Sequence, residues 1–145
     1  MHRFTYRNNE LYCEDVPVAE IAHRFGTPCY VYSKGTLLDH YRKLKKAFRE
    51  IHPLICFSMK ANSNLAVCRT LVKAGAGLDI VSGGELYKAQ KVKVNPKKIV
   101  YASVGKTPKE IIHAIRAGIL FFNVESLPEL AMINEISATL RKKTN

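Results

Sequence analysis

The sequence predicts an α/β fold with a parallel sheet, on three observations. Short apolar strands recur roughly every 20 residues from residue 54 onward. Each is followed by a segment whose apolar residues have helical spacing. Three of those segments open with Ser or Thr and carry Glu three residues later, a helix-start signature. Alternating strands and helices joined by right-handed crossovers give a parallel sheet covered by helices. Four such units make half of an eight-fold β/α barrel or a small open sheet. A complete barrel takes about 250 residues, and the chain has 145.

The elements follow in order. A helix is predicted over 17–25: Val18, Ile21, Ala22 and Phe25 share a face, Pro17 lies in the first turn, and Gly26 is placed to end it. After Pro28, the run Cys29-Tyr30-Val31-Tyr32 is rich in strand formers. Ser33 can cap the next helix, in which Leu37, Tyr41, Leu44, Phe48 and Ile51 recur at helical spacing until Pro53. The regular part then pairs strand 54–60 with helix 64–74, strand 78–81 with helix 83–91, strand 99–102 with helix 108–117, and strand 120–124 with helix 127–140. Ser82 with Glu85, Thr107 with Glu110, and Ser126 with Glu129 each fit a capping box. Pro108 and Pro128 fall in first turns, and Gly75 and Gly118 suit helix ends. The tail 141–145 falls where a barrel's next strand is due, so the chain reads as the front part of something longer.

Composition narrows the function classes. The net charge of +11 points toward a polyanion only if the basic residues cluster. Instead they are spread over several helices in short runs, Lys45-Lys46, Lys97-Lys98 and Arg141-Lys142-Lys143, with no interleaved aromatic platform. A solvated basic surface is expected, not a nucleic-acid face. No apolar run is long enough to span a membrane. The stretch from Met1 to Tyr6 lacks the apolar segment of a secretion signal. Cys13, Cys29, Cys56 and Cys68 show no CxxC spacing and read as reduced, packed thiols of a cytoplasmic protein. His2, His23, His40, His52 and His113 have no metal-ligand spacing. Gly75-Ala76-Gly77 precedes a strand, which argues against a dinucleotide fingerprint.

Lys60 is the residue that calls for chemistry. It ends a strand otherwise built for burial, and a cation there needs a partner or a task. In a β/α barrel, the C-terminal strand ends carry the active site, and a lysine there can form a covalent bond with a carbonyl compound. Alternation puts Ile55, Phe57 and Met59 toward the helices and Cys56, Ser58 and Lys60 toward the interior. Asp79, between Leu78 and Ile80 on the next strand, needs a partner, and a Lys60–Asp79 pair is expected either as part of a site or as a structural ion pair. Glu85 serves the capping box, an acid near the amine, or both. Gly83-Gly84 either admits a ligand close to backbone or only shapes the turn. Lys106 is expected to be solvated. Asn123 and Glu125 are further candidates at the rim.

These residues resemble a known family. Phe57-Ser58-Met59-Lys60-Ala61-Asn62 is similar to the pyridoxal-phosphate lysine motif of the fold-type III amino-acid decarboxylases. The segment from Gly77 to Leu86, the run Asn123-Val124-Glu125-Ser126, and the opening Val16 to Glu20 with Phe25 to Tyr32 resemble further segments of it in the same order. Within the family, the resemblance is greatest to the branch that converts meso-2,6-diaminopimelate to L-lysine and carbon dioxide. Relatives acting on ornithine, arginine or carboxynorspermidine, and a non-catalytic homologue acting by subunit binding, are the alternatives.

The resemblance implies the N-terminal part of a (β/α)8 TIM-like barrel, about four βα units over 33–145. It also implies an N-terminal segment, 1–32, that joins a C-terminal β domain not present in this chain. It implies pyridoxal 5'-phosphate as cofactor, Lys60 as the catalytic and cofactor-bearing residue, and Asp79 and Glu85 as cofactor-binding acids. A small amino-acid substrate, a homodimer in the full-length form, and no activity for the fragment alone belong to the same expectation. Ser58 stands where the family often has alanine, and 103–106 departs from its usual Gly-Asn-containing version. The groups expected at the cofactor's phosphate and pyridine nitrogen lie beyond residue 145.

Overall fold

The computed structural model describes residues 2–145. The chain divides between His52 and Pro53 into two compact units. Glu14 Oε1 accepts from both Ser33 Oγ and the Gly35 amide at 2.6 Å, which ties the start of the following helix to the residues before it.

The N-terminal unit opens with an antiparallel sheet that the periodicity did not reveal. Strands β1 (Phe4–Arg7) and β2 (Glu10–Cys13) form a hairpin, and β3 (Val16–Pro17) pairs back onto β2. Asn8 and Asn9 make the two-residue turn with φ of 48° and 62°. Asparagine tolerates this left-handed region, and tight hairpin turns demand it at both positions. Helix α1 (Val18–Phe25) follows and ends at Gly26, whose φ is 80°. The expected strand over 29–32 is not formed. The segment has no hydrogen-bonded neighbour strand, and Tyr30 is 93% exposed. Helix α2 (Lys34–Ala47) is capped by Ser33, whose side chain accepts from the Thr36 amide. It ends before Pro53, because a 3-10 turn over Arg49–Ile51 and a left-handed His52 intervene.

The second unit is a four-stranded parallel sheet in the order β4 (Cys56–Ser58), β5 (Gly77–Ile80), β6 (Ile99–Tyr101), β7 (Phe121–Phe122). The strands alternate with α3 (Leu65–Lys73), α4 (Gly83–Lys91), α5 (Pro108–Ala117) and α6 (Leu127–Thr139). The α/β class and the four units match the sequence expectation, with β4, β6 and β7 shorter than predicted and β5 shifted by one residue. The helices cover the sheet through a core that includes Leu78, Ile80, Leu86, Ile99, Ile111, Ala114 and Ile133. Tyr101 and Phe122 stack inside it at 5.9 Å. Gly77 is required by close approach: a Cβ there would collide with the Lys98 carbonyl and lie 2.7 Å from Cys56 Sγ.

The three expected capping boxes are not alike. Ser82, Thr107 and Ser126 all accept from the amide of the Glu three residues on. Only Glu110 returns the bond to its own cap residue. Glu85 and Glu129 instead accept from the amides of Val81 and Glu125, one residue earlier. The Ser82 and Ser126 backbones are fully extended, with φ near −159°, and the amide before the cap is the one in reach.

Candidate cofactor site

The C-terminal ends of the four parallel strands converge on one edge of the sheet, with Lys60 just past β4. Register pairs Ser58 with Asp79, and the Met59 amide donates to the Asp79 carbonyl at 2.9 Å. The strand stops at Ser58, and the Ala61 amide donates back to the Ser58 carbonyl at 3.2 Å, closing a turn. Lys60 therefore leaves the strand's alternation. It is exposed and makes no ion pair among the described residues. The expected Lys60–Asp79 pair is absent for that reason: Asp79 is level with Ser58, below the turn that carries Lys60.

Asp79 Oδ1 and Ser58 Oγ are both buried with no hydrogen-bond partner. A buried polar atom without a partner is unfavourable by about 1–3 kcal/mol. Two of them on register-paired residues make a polar patch awaiting a partner. Burial, and then the Asp79 carboxylate, push the Cys56 thiol above its ordinary pKa, so Cys56 stays a protonated packing group and not a nucleophile.

Glu85 is half-buried at the start of α4. Its Oε2 accepts from the Val81 amide at 2.8 Å, and its own amide donates to Ser82 Oγ at 3.2 Å. The carboxylate is thus fixed just after β5. Gly83 approaches protein rather than open space: its amide donates to Glu110 Oε1 at 2.8 Å, and a Cβ there would lie 3.1 Å from Glu110 Cγ.

Glu110 was not anticipated beyond its cap. Its Oε2 also accepts from the Thr107 amide at 3.0 Å and the Thr107 hydroxyl at 2.7 Å. Those bonds, the Thr107 and Gly83 amides foremost, lower its pKa to about 2. The Tyr101 hydroxyl, in a buried side chain near Glu110, is pushed well above the ordinary phenol value by burial and then by that carboxylate.

Lys106, expected in solvent, is buried, with 4% exposure. Its ammonium donates to Glu129 Oε1 at 2.5 Å, the Ser103 carbonyl at 2.7 Å and the Asn123 carbonyl at 2.8 Å. Three acceptors at ammonium spacing draw the side chain inward. Only the Glu at position 129 hinted at this partner. Asn123 and Glu125 are exposed at the rim, as expected.

Residues 34–143 match the pyridoxal binding domain of the pyridoxal-dependent decarboxylases. The chain belongs to that family. A diaminopimelate decarboxylase of Aquifex aeolicus is 49% identical over 138 residues, covering 95% of this chain and 32% of the relative. One from Haemophilus influenzae is 43% identical over 142 residues, covering 98% of this chain and 34% of the relative. The crystal structure of diaminopimelate decarboxylase from M. jannaschii in complex with L-lysine superposes with a TM-score of 0.94 at 38% identity. That match covers 98% of this chain and 34% of the other. The chain thus spans about a third of the length of the curated relatives it matches. Its four-stranded parallel sheet with alternating helices superposes on part of those decarboxylases, and residues 34–143 match the family's pyridoxal binding domain.

The residues present fit that cofactor. The Lys60 amine is open to an aldehyde, and the unsatisfied pair below it offers a hydroxyl and a carboxylate to a polar group seated over the strand ends.

Proposed function

We propose that this chain is the cofactor-holding part of an enzyme that decarboxylates meso-2,6-diaminopimelate to L-lysine and carbon dioxide. In this reading Lys60 is the covalent attachment point of pyridoxal phosphate, and Asp79 and Glu85 are the acids beside it. The observation that carries the reading is the edge after β4. An exposed lysine outside every ion pair among the described residues stands there two residues past Ser58, whose hydroxyl and the register-paired Asp79 Oδ1 are buried and unsatisfied. An amine attacks a carbonyl only when it is accessible, and Lys60 is exposed and outside every ion pair among the described residues.

The bound cofactor supplies an electron sink for the carbon that loses its carboxylate. The chain's own residues hold and orient. Lys60 Nζ would hold the cofactor. Asp79, anchored in β5, and Glu85, held by the Val81 amide, would be the acids that orient groups beside it. The choice of substrate is supported by relatives at 40–49% identity that are named diaminopimelate decarboxylases, and by a solved relative crystallised with L-lysine. The same reading makes the complete protein a cytoplasmic homodimer, with 1–32 joining a β-rich domain.

The test uses protein expressed from the complete reading frame that encodes this chain. Borohydride reduction after loading with pyridoxal phosphate should leave the cofactor mass on the Lys60 peptide. Lys60→Ala should lose both the visible absorbance and carbon dioxide release from diaminopimelate. A Lys60→Ala protein that keeps both would overturn the attachment site. Turnover of ornithine or arginine in place of diaminopimelate would overturn the substrate.

A further inference from the structure

A run of polar contacts, exposed at Thr107 and buried at the Lys106–Glu129 pair, crosses three strand–helix junctions on the same edge as Lys60. Glu110 joins the α4 start, through the Gly83 amide, to the Thr107 cap of α5. Tyr101, at the end of β6, lies close enough to the Glu110 carboxylate to feel its charge and sits under the Lys106 ammonium, 5.8 Å from its ring centre. Lys106 then joins Ser103, after β6, to Asn123, after β7, and to Glu129 in the first turn of α6. Glu129 closes the run by accepting from the Glu125 amide at 3.3 Å.

The centre of this run is a buried ion pair with side-chain exposures of 0% and 8%. Such a pair gains little net stability, because desolvation of both ions offsets their attraction, and an apolar pair of similar volume is often as stable. What it supplies is geometry. An ammonium has three donors, and all three are used. Two go to carbonyls on different loops and the third to a helix start. Those bonds fix the height of the loop after β6 against the loop after β7. Both loops border the face where the cofactor is proposed to sit.

We infer that Lys106, with Glu129 as its counter-ion, is a positioning residue that holds the 103–107 and 123–126 loops at the spacing the cofactor requires. The inference rests on the cofactor reading above, and its test separates the two.

The experiment uses protein from the complete reading frame and compares the parent with Lys106→Met and with Lys106→Met/Glu129→Leu, in which neither charge is left unpaired. Melting temperature, the pyridoxal phosphate dissociation constant and amide hydrogen exchange are measured. Lys106→Met should melt well below the parent, and the double variant should recover most of that loss. Cofactor affinity should stay at least tenfold weaker in both variants. The Thr107 and Asn123 amides should exchange at least tenfold faster in the double variant. These two are informative because they keep their own acceptors, Glu110 Oε2 and the Tyr101 carbonyl. Recovery of affinity together with melting temperature would reduce the pair to a structural role and overturn the inference. If the parent binds no cofactor, the functional reading fails and exchange alone decides: parent-like exchange at Thr107 and Asn123 overturns the positioning role, and faster exchange sustains it.

Discussion

Neutralising Glu110 should destabilise the protein in a way that disappears in acid. The carboxylate receives the Thr107 amide and hydroxyl on one oxygen and the Gly83 amide on the other. Every one of these is a donor, so each favours the ionised form. The pKa falls from an ordinary 4.5 to about 2, a gap of about 2.5 pH units, which linkage converts to a ceiling of about 3.4 kcal/mol. The group is only partly buried, and solvent screening brings the expectation to about 1.5–2 kcal/mol. Because the folded pKa is depressed, this stability is fully present above pH 4.5 and is lost progressively as pH falls toward 2. Glu110→Gln keeps the shape but turns one oxygen into a donor facing a donor. Urea denaturation of parent and Glu110→Gln should therefore differ by about 2 kcal/mol at pH 7 and converge only as pH falls below about 2, where the Glu110 carboxyl becomes mostly neutral in the folded protein as well. A difference that stays constant between those pH values, or one near zero at pH 7, would refute the argument that ionised Glu110 ties the α4 start to the α5 cap.

Two further substitutions probe the sheet edge. Gly77→Ala forces a methyl group against the Lys98 carbonyl and Cys56 Sγ; the overpacking should lower stability by about 2 kcal/mol in urea denaturation, and a neutral result would mean that β4 and β5 are not so close. Ser58→Ala removes a buried hydroxyl with no partner, so the cofactor-free protein should be unchanged or more stable by up to about 1 kcal/mol. A loss beyond 1 kcal/mol in thermal denaturation would mean that the hydroxyl has a partner within the protein.

Legibility in the sequence followed the physics of each element. The strand–helix alternation was readable because a parallel sheet buries both faces and leaves short apolar runs between amphipathic helices. The helix starts at Ser82, Thr107 and Ser126 were readable from local chemistry alone. The N-terminal hairpin was missed although its signal is present: Asn8-Asn9 sits between two strand-forming quartets. The segment 29–32 was misjudged for the opposite reason. Cys29-Tyr30-Val31-Tyr32 has strand propensity, but propensity supplies no neighbour, and a strand exists only where its backbone groups are paired.

The site divides along the same line. Lys60, Asp79 and Glu85 stood out because each is a charge in or beside an apolar strand, an anomaly visible one residue at a time. Lys106 carried no such mark. It lies in a polar loop, and its partner is 23 residues away. Its burial follows from three acceptors that meet only after two loops and a helix start have been folded against one another. Glu110 is similar: its local role at Thr107 was legible, while its bond to Gly83 spans 27 residues. A charge that answers a local need can be read from its neighbours in sequence, whereas one that joins separate units emerges only with the sheet. In this chain the first kind gathers around the amine proposed to do the chemistry, and the second kind holds the junctions that frame it.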